Sequence, residues 1–317
     1  MTDAPRASSS SGALSTGTTF TLFAALGFAA VSTLTSIVVR QGTSLPNVLT
    51  WRYVLSSVVL VLFVGARGYK RIPSRDVTKF IVIGGGGQAL LVGLALSSIA
   101  YIPVATLAFL FYTYPAWVTL VQAVRGAEKV TARRAAALAL SFAGIVVIAG
   151  VPLGAKMNAM ASGAPAPLIP EAMYWKGVGL ALAAAIVYGA YIPTMQFLQK
   201  NHPVPVTSAL AKIGSAACFL IWSSSEQSFD YRMTGTAWAG IGALTLFSTV
   251  LPSVFFLMGL MRLGPVRTAI MSTVEPFLTA VIGALVLGQA LTLQIFVGGA
   301  MIVSAVVLLQ FRRERVA

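Results

Sequence analysis

Hydrophobic residues are grouped along this chain into long apolar stretches that short polar segments separate. Ten stretches can be marked, at about 20–39, 47–66, 78–97, 103–124, 132–150, 175–198, 205–225, 236–258, 265–288 and 292–311. Most contain the roughly 20 residues that an α-helix needs to cross a hydrocarbon core about 30 Å thick. The pattern predicts an all-α integral membrane protein with ten transmembrane helices.

The chain also repeats itself. The longest segment between stretches, 151–174, divides it into two halves of five stretches each. Tyr114-Pro115 lies within the fourth stretch and Glu275-Pro276 lies within the ninth, 161 residues later. Because five is an odd number, the second half must enter the membrane from the opposite side. The sequence therefore predicts two inverted five-helix repeats related by a pseudo-two-fold axis in the membrane plane.

The predicted organisation has five parts. Residues 1–18 are rich in Ser, Thr, Ala and Gly and are expected to form a disordered cytoplasmic tail. The first repeat is predicted at 19–150, an extracytoplasmic linker at 151–174, and the second repeat at 175–311. A basic cytoplasmic tail, 312–317, follows.

Charge placement indicates the orientation. Only 9% of the residues are charged, against about a quarter in soluble proteins. Sixteen of the 22 lysine and arginine residues fall in segments on one side of the predicted membrane. By the positive-inside rule both termini are cytoplasmic. The net charge of +14 is then an orientation signal that faces anionic lipids. The basic segments are expected to contact membrane lipids and not nucleic acid.

Glu275 is the most conspicuous candidate for a functional site. It lies about ten residues into its predicted helix, close to the bilayer midplane at 1.5 Å per residue. A carboxylate there costs on the order of a few kcal/mol unless a partner, water or a ligand compensates it. One interpretation is that Glu275 binds substrate or a proton. The other is that it bonds to backbone groups freed by Pro276, since Pro115 and Pro276 are both expected to kink their helices.

Arg52 and Lys212 occupy matching positions in the second and seventh stretches. The inverted symmetry predicts that they are gate residues at opposite mouths of a cavity, although each could also extend its charge to the headgroups. Other candidates are polar or aromatic groups within the stretches, which either line a cavity or bond between helices: Tyr112, Tyr114, Tyr188, Tyr191, Gln88, Ser272 and Thr273. The run 84–87 is all glycine, and close helix packing is its preferred explanation.

Several chemistries have no sequence signal. The chain has one histidine and one cysteine, so it offers no cluster of soft ligands for a transition metal. It contains no phosphate-binding loop and no nucleophile elbow. No enzyme activity and no cofactor are predicted.

The residues around the two proline pairs resemble a known family. The stretch 112–115 followed by 126–131, with its counterparts at 272–276 and 288–292, is similar to the signatures of the EamA-type branch of the drug/metabolite transporter superfamily. The resemblance implies ten helices, cytoplasmic termini, and a central cavity lined by helices one to four and six to nine. It also implies movement of small metabolites by alternating access, in a plasma membrane such as the bacterial inner membrane. Glu128 matches the family pattern, whereas the second repeat has Gln289 where an acid is common.

The predicted function is a secondary transporter of small polar metabolites or amino acids, with export as the preferred direction and protons as a possible coupling ion. A cavity with both Glu275 and basic groups suits zwitterions. One alternative is a proton-coupled exporter of lipophilic cations or drugs, in which Glu275 binds the proton and the cation in turn. Another is a flippase for lipid-linked substrates.

Overall fold

The structure, a computed structural model, describes residues 9–69, 72–98, 101–102, 107, 110–127, 130–161, 171–287 and 293–310. Those residues form helices and turns and contain no strand. The helices in chain order are α1 (Ser9–Val39), α2 (Leu45–Ala66), α3 (Ser74–Ser98), α4 (Tyr114–Val124), α5 (Ala132–Ala161), α6 (Glu171–Gln199), α7 (Val204–Ser225), α8 (Gly235–Leu263), α9a (Pro265–Ser272), α9b (Glu275–Leu287) and α10 (Leu293–Gln310).

The described helices are those of a multi-pass membrane protein. Seven segments within the described residues are long and apolar enough to cross a bilayer; they lie in α1, α2, α3, α6, α7, α8 and the α9 pair. The predicted fourth stretch and the turn before α10 lie partly outside the described residues. The count of ten spans and the cytoplasmic position of both termini therefore stay predictions.

Two helices extend further than the apolar pattern indicated. α1 begins at Ser9, within the segment expected to be disordered, and α5 continues to Ala161, within the predicted linker. A helix that has already formed adds residues at low cost, so polar positions next to a membrane span can continue it. In α1 the hydroxyl of Thr21 donates to the carbonyl of Gly17 at 3.0 Å. The apolar stretches thus mark where helices can cross the membrane rather than where they end.

The helices pack in the pattern expected of two repeats related by a two-fold axis. α1 packs against α8 and α9b, and α6, its counterpart in the second repeat, packs against α3 and α4. α2 packs against its own counterpart α7, and α5 packs against its counterpart α10. Each of these four contacts between described helices therefore has an equivalent among them or is its own equivalent.

Glycines bring the two repeats close together at these crossings. A Cβ atom added to Gly85 on α3 would lie 2.5 Å from Cα of Gly214 on α7. A Cβ atom added to Gly144 on α5 would lie 2.6 Å from the carbonyl oxygen of Gly298 on α10. Small residues allow membrane helices to approach this closely, which is the role expected for the 84–87 run.

α3 and α8 each contain a wide turn, a short π-helical segment in which hydrogen bonds skip one more residue than in an α-helix. The wide turn of α3 is Phe80–Gly86 and that of α8 is Leu246–Val250. A π-helical segment leaves backbone carbonyls available to other partners, and such segments are frequent at functional sites. The two wide turns lie in equivalent helices of the two repeats and face the centre of the bundle.

Candidate functional site

A cavity of about 290 Å³ lies at the centre of the bundle, between the two repeats. Its volume is near the lower end of the roughly 300–1,000 Å³ found for small-molecule sites. Six of the residues singled out from the sequence line it: Arg52, Gln88, Tyr188, Tyr191, Lys212 and Glu275. The fold therefore brings side chains from α2, α3, α6, α7 and α9b to one space.

Arg52 and Lys212 converge on one tyrosine. The guanidinium carbon of Arg52 lies 5.5 Å from the ring centroid of Tyr53, and Nζ of Lys212 lies 5.1 Å from it. Both cations are buried, with only 7% and 2% of their surfaces exposed. Both line the same cavity, and their location at its opposite mouths stays a prediction.

The approach of both cations to Tyr53 follows from where their two helices begin. Arg52 is seven residues from the start of α2, and Lys212 is eight residues from the start of α7. At 1.5 Å per residue each cation lies about 11 Å inside its helix, a third of the way across. Long side chains that approach from opposite surfaces can then meet near the middle of the bundle. Their role as gates stays a prediction.

The two cations make equivalent contacts in the two repeats. Nζ of Lys212 on α7 donates to Oε1 of Gln88 on α3 at 3.0 Å. Nε of Arg52 on α2 donates to the hydroxyl of Thr249 on α8. Thr249 follows Gln88 by 161 residues, the same spacing that separates Tyr114 from Glu275. The spacing could have identified Thr249 from the sequence, although its side chain alone gave no signal.

The wide turns supply further hydrogen-bond acceptors around the cavity. Nη2 of Arg52 donates to the carbonyl of Ser248 at 2.9 Å. The hydroxyl of Tyr191 donates to the carbonyl of Gly84 at 3.0 Å, and the hydroxyl of Ser215 donates to the carbonyl of Gly85 at 3.0 Å. These bonds fix Arg52, Tyr191 and Ser215 against backbone carbonyls of the two wide turns.

Glu275 lies where the ninth helix is interrupted. α9a ends at Ser272, a turn follows, and Glu275 is the first residue of α9b. The unpaired N–H groups and the dipole at a helix N-terminus favour a negative charge. The hydroxyl of Tyr112 lies close enough to the Glu275 carboxylate to interact with it. The position therefore combines stabilisation of the charge with access to the cavity.

α4 begins in the same way as α9b. It starts at Tyr114, with Pro115 in its first turn, just as Pro276 lies in the first turn of α9b. Proline is tolerated there because the first N–H groups of a helix have no intrahelical acceptor. The two prolines thus mark the starts of half-helices near the centre of the bundle.

Aromatic rings pack together beside the start of α4. The rings of Tyr114 and Tyr188 lie 4.5 Å apart between centroids, and Phe111 stacks on Tyr188 at 5.5 Å. Tyr188 is 6.4 Å from Tyr191 and 6.5 Å from Phe256. Tyr188 is therefore the central ring of an aromatic wall between Glu275 and the cationic end of the cavity.

Four predicted residues lie behind the cavity wall instead of on it. The hydroxyl of Tyr114 donates to the carbonyl of Ala269 at 3.3 Å, and that of Ser272 donates to the carbonyl of Thr268 at 2.9 Å. Thr273 donates to the hydroxyl of Ser141 on α5 at 3.2 Å. Tyr112 reaches Glu275 from the same layer. These groups hold the two half-helices in place.

Sequence reasoning did not identify Tyr53, Ser208 and Ser253, which also line the cavity. Ser208 is one helical turn before Lys212, and Ser253 is one turn after Thr249. The hydroxyl groups of both serines are buried and have no hydrogen-bond partner in the structure. Serine and tyrosine are frequent in apolar stretches, so nothing in the pattern distinguished these three. Glu128, Gln289 and Thr292, which belong to the family resemblance, lie outside the described residues.

Comparison with known proteins agrees with this architecture. The EamA-like transporter family model matches residues 15–150 and 175–311, one match for each predicted repeat. A solved crystal structure superimposes with a TM-score of 0.77 at 20% identity, covering 93% of this chain and 96% of that one. At this identity the similarity shows the fold alone.

Two curated relatives are uncharacterized transporters. The one from Synechocystis sp. is 27% identical over 222 residues, which cover 68% of this chain and 61% of the relative. The one from Archaeoglobus fulgidus is 25% identical over 210 residues, covering 65% of this chain and 66% of the relative. The chain thus spans slightly less than two thirds of each relative. With both predicted repeats matched by the family model, the chain belongs to the EamA-like transporter family, within the drug/metabolite transporter superfamily.

Proposed function

We propose that the protein is a secondary transporter that exports small polar metabolites or amino acids across a bacterial inner membrane by alternating access through the central cavity. The observation that carries this proposal is that Glu275, Arg52 and Lys212 line one cavity between the two repeats. A site formed between inverted repeats can be exposed to either side when one repeat rocks against the other.

The charges on the cavity wall favour a substrate with a polar or charged group over a lipophilic cation. Two buried cations, Arg52 and Lys212, line the cavity together with one carboxylate, that of Glu275. A monovalent cation entering this space would be repelled by two like charges at short range. A zwitterion or an anion would be attracted to them, which supports a metabolite or amino acid as cargo.

Glu275 is the group that we propose to couple transport to protons. Its carboxylate lies at a half-helix N-terminus, has the Tyr112 hydroxyl nearby and lines the cavity. A carboxylate in this position can be exposed to one side and then the other, and an intramembrane acid of this kind is a functional candidate by default.

Flux measurements in proteoliposomes test the proposal. A chemically mixed library that contains amino acids, organic acids and a lipophilic cation would be assayed with and without a pH gradient. Wild-type protein is expected to accumulate a polar metabolite against its gradient. Glu275→Gln, which keeps shape and hydrogen-bonding capacity, is expected to exchange substrate but lose accumulation driven by the pH gradient.

Glu226→Gln is the matched control, because Glu226 is an exposed glutamate that accepts one side-chain hydrogen bond, from Nε1 of Trp222 at 2.6 Å. It should behave as wild type. Loss of substrate binding at every pH in Glu275→Gln would instead assign Glu275 to the substrate. Unchanged binding, exchange and accumulation would reduce Glu275 to a structural role, and absence of any protein-dependent flux would remove the transport proposal.

A further inference from the structure

We propose that Arg52 and Lys212 together bind a carboxylate group of the substrate, with the amide of Gln88 as a third donor. This inference rests on the transport function proposed above, because it assigns the cargo to one chemical class: small organic acids, amino acids among them. The carboxylate site follows from the hydrogen bonds that these two cations make and from the donors that they leave unused.

Neither cation is neutralised by the part of the chain that the structure describes. Arg52 donates to a hydroxyl and a backbone carbonyl, and Lys212 donates to an amide oxygen. All three acceptors are uncharged, and among the described residues no carboxylate forms an ion pair with either cation. A buried charge that lacks a counter-charge costs several kcal/mol. An anion that enters the cavity would recover part of that cost.

Both cations also have N–H donors that form no hydrogen bond with the described residues. A lysine ammonium has three N–H donors and a guanidinium has five. Lys212 uses one donor, toward Gln88, and the bonds of Arg52 involve Nε and Nη2 only. Nη1 of Arg52 and two ammonium protons of Lys212 bond to none of the described residues. A carboxylate has two oxygens with about four acceptor positions, which matches donors that arrive from two helices.

Gln88 is oriented as a donor to the same space. Its Oε1 accepts from Nζ of Lys212 at 3.0 Å and from the hydroxyl of Ser215 at 3.3 Å. Gln88 lines the cavity, and its NH₂ group forms no hydrogen bond with the described residues, so it is available as a donor. A neutral donor beside two cations adds direction to the site without adding further repulsion.

Two serines indicate that the space is built for a polar occupant. Ser208 and Ser253 line the cavity beside the cations, and their surfaces are 1% and 8% exposed. Each hydroxyl is buried without a partner, an arrangement that is costly unless a ligand or water completes it. The apolar remainder of the wall, including Leu49 and Leu91, can accommodate the hydrocarbon part of an organic acid.

The test measures binding to the purified full-length chain at fixed ionic strength, because salt screens charge interactions. The probes are the twenty L-amino acids, linear monocarboxylates of two to six carbons, and the primary amide of each compound. Inorganic phosphate is added to distinguish a carboxylate site from a general anion site. We expect at least one acid to bind and its amide to bind at least tenfold more weakly.

The variants localise the effect. Arg52→Gln and Lys212→Gln are each expected to weaken acid binding by about 10- to 100-fold, the range for loss of a hydrogen bond to a charged group. The controls are Arg232→Gln and Lys176→Gln. They remove exposed cations. The guanidinium carbon of Arg232 lies 5.7 Å from the ring centroid of Tyr231, and Nζ of Lys176 lies 4.8 Å from that of Tyr101, much as Arg52 and Lys212 lie over Tyr53. Both controls should bind like wild type.

If Arg52→Gln does not fold, Arg52→Lys and Lys212→Gln decide the question, with Arg52→Lys expected to keep part of the affinity. Equal binding of acids and amides, preference for phosphate over every acid, absence of any acid that binds, or full affinity in both cation variants would each overturn the proposal. Acid binding that needs both cations but leads to no flux would preserve the site and remove the transport function. Flux of a compound whose transport is unaffected by both cation variants would preserve the transport function and remove the carboxylate site.

Discussion

The crossing of α3 and α7 gives the sharpest prediction about how the cavity is held in shape. In Gly85→Ala the added Cβ would lie 2.5 Å from Cα of Gly214 and 2.6 Å from the carbonyl oxygen of Ala211. Ordinary contacts of this kind are 3.4–4 Å. Both neighbours are backbone atoms, so they cannot rotate away as a side chain would. The helices must separate by about 1 Å at this point, which a closely packed interior resists.

The magnitude follows from three contributions. Overpacking costs about 1–3 kcal/mol. Weakening of the bond from the Ser215 hydroxyl to the Gly85 carbonyl adds about 0.5–1.5 kcal/mol. Replacement of glycine by alanine within a helix returns about 0.5–1 kcal/mol. These sum to a loss of about 0.5–4 kcal/mol of unfolding free energy in Gly85→Ala, and we expect flux to fall because Gln88 shifts away from Lys212.

Gly86→Ala is the matched control, because a Cβ added to Gly86 meets no atom within 4 Å. It makes the same chemical change one residue away in the same wide turn. It should be as stable as wild type or slightly more stable. Denaturation in detergent micelles, followed by tryptophan fluorescence, measures both variants. If Gly85→Ala proves as stable as Gly86→Ala, the close approach of α3 and α7 is wrong.

Two further predictions concern Glu275 and the orientation of the chain. Tyr112→Phe removes a hydroxyl that we expect to bond to the Glu275 carboxylate, so it should lower the unfolding free energy by about 1.5–3 kcal/mol, whereas Tyr174→Phe should not. Equal unfolding free energies of the two variants would show that no such bond stabilises the protein. In a cysteine-free background, Arg67→Cys should react with an impermeant thiol reagent only from the cytoplasm and Arg232→Cys only from outside; the opposite labelling would invert the topology.

The sequence was sufficient to predict the class of fold and the repeat. Apolar stretches of membrane-spanning length depend only on local composition, so they can be recognised without knowledge of tertiary contacts. The pairing of Tyr114-Pro115 with Glu275-Pro276 also needs nothing beyond spacing. The helix boundaries were less well predicted, since α1 begins at Ser9 and α5 continues to Ala161, beyond the apolar stretches at 20–39 and 132–150.

Several residues that line the cavity were predictable, but their arrangement was not. Arg52, Lys212 and Glu275 are conspicuous because charge is rare in apolar stretches. Their meeting in one cavity depends on the depth and rotation of three helices, and a single sequence does not fix either. The wide turns of α3 and α8 were not predicted, because the residues that form them are ordinary helix residues and close packing between the repeats decides their geometry.

Tyr53 illustrates the same limit. Its neighbour Arg52 drew attention through its charge, whereas a tyrosine in an apolar stretch has many roles. Only the structure shows that the ring contacts both cations.

Access to the cavity from the two sides of the membrane tests the central claim most directly. Ser253→Cys in a Cys218→Ser background places one thiol on the cavity wall with little change in volume. Proteoliposomes of known orientation would be treated with an impermeant thiol reagent from either side, with and without a transported substrate. Alternating access predicts labelling from both sides, and it predicts that substrate changes the ratio of the two. A ligand shifts a conformational equilibrium by its differential affinity for the two states. Labelling from one side only under every condition, or no labelling from either side, would contradict alternating access through this cavity.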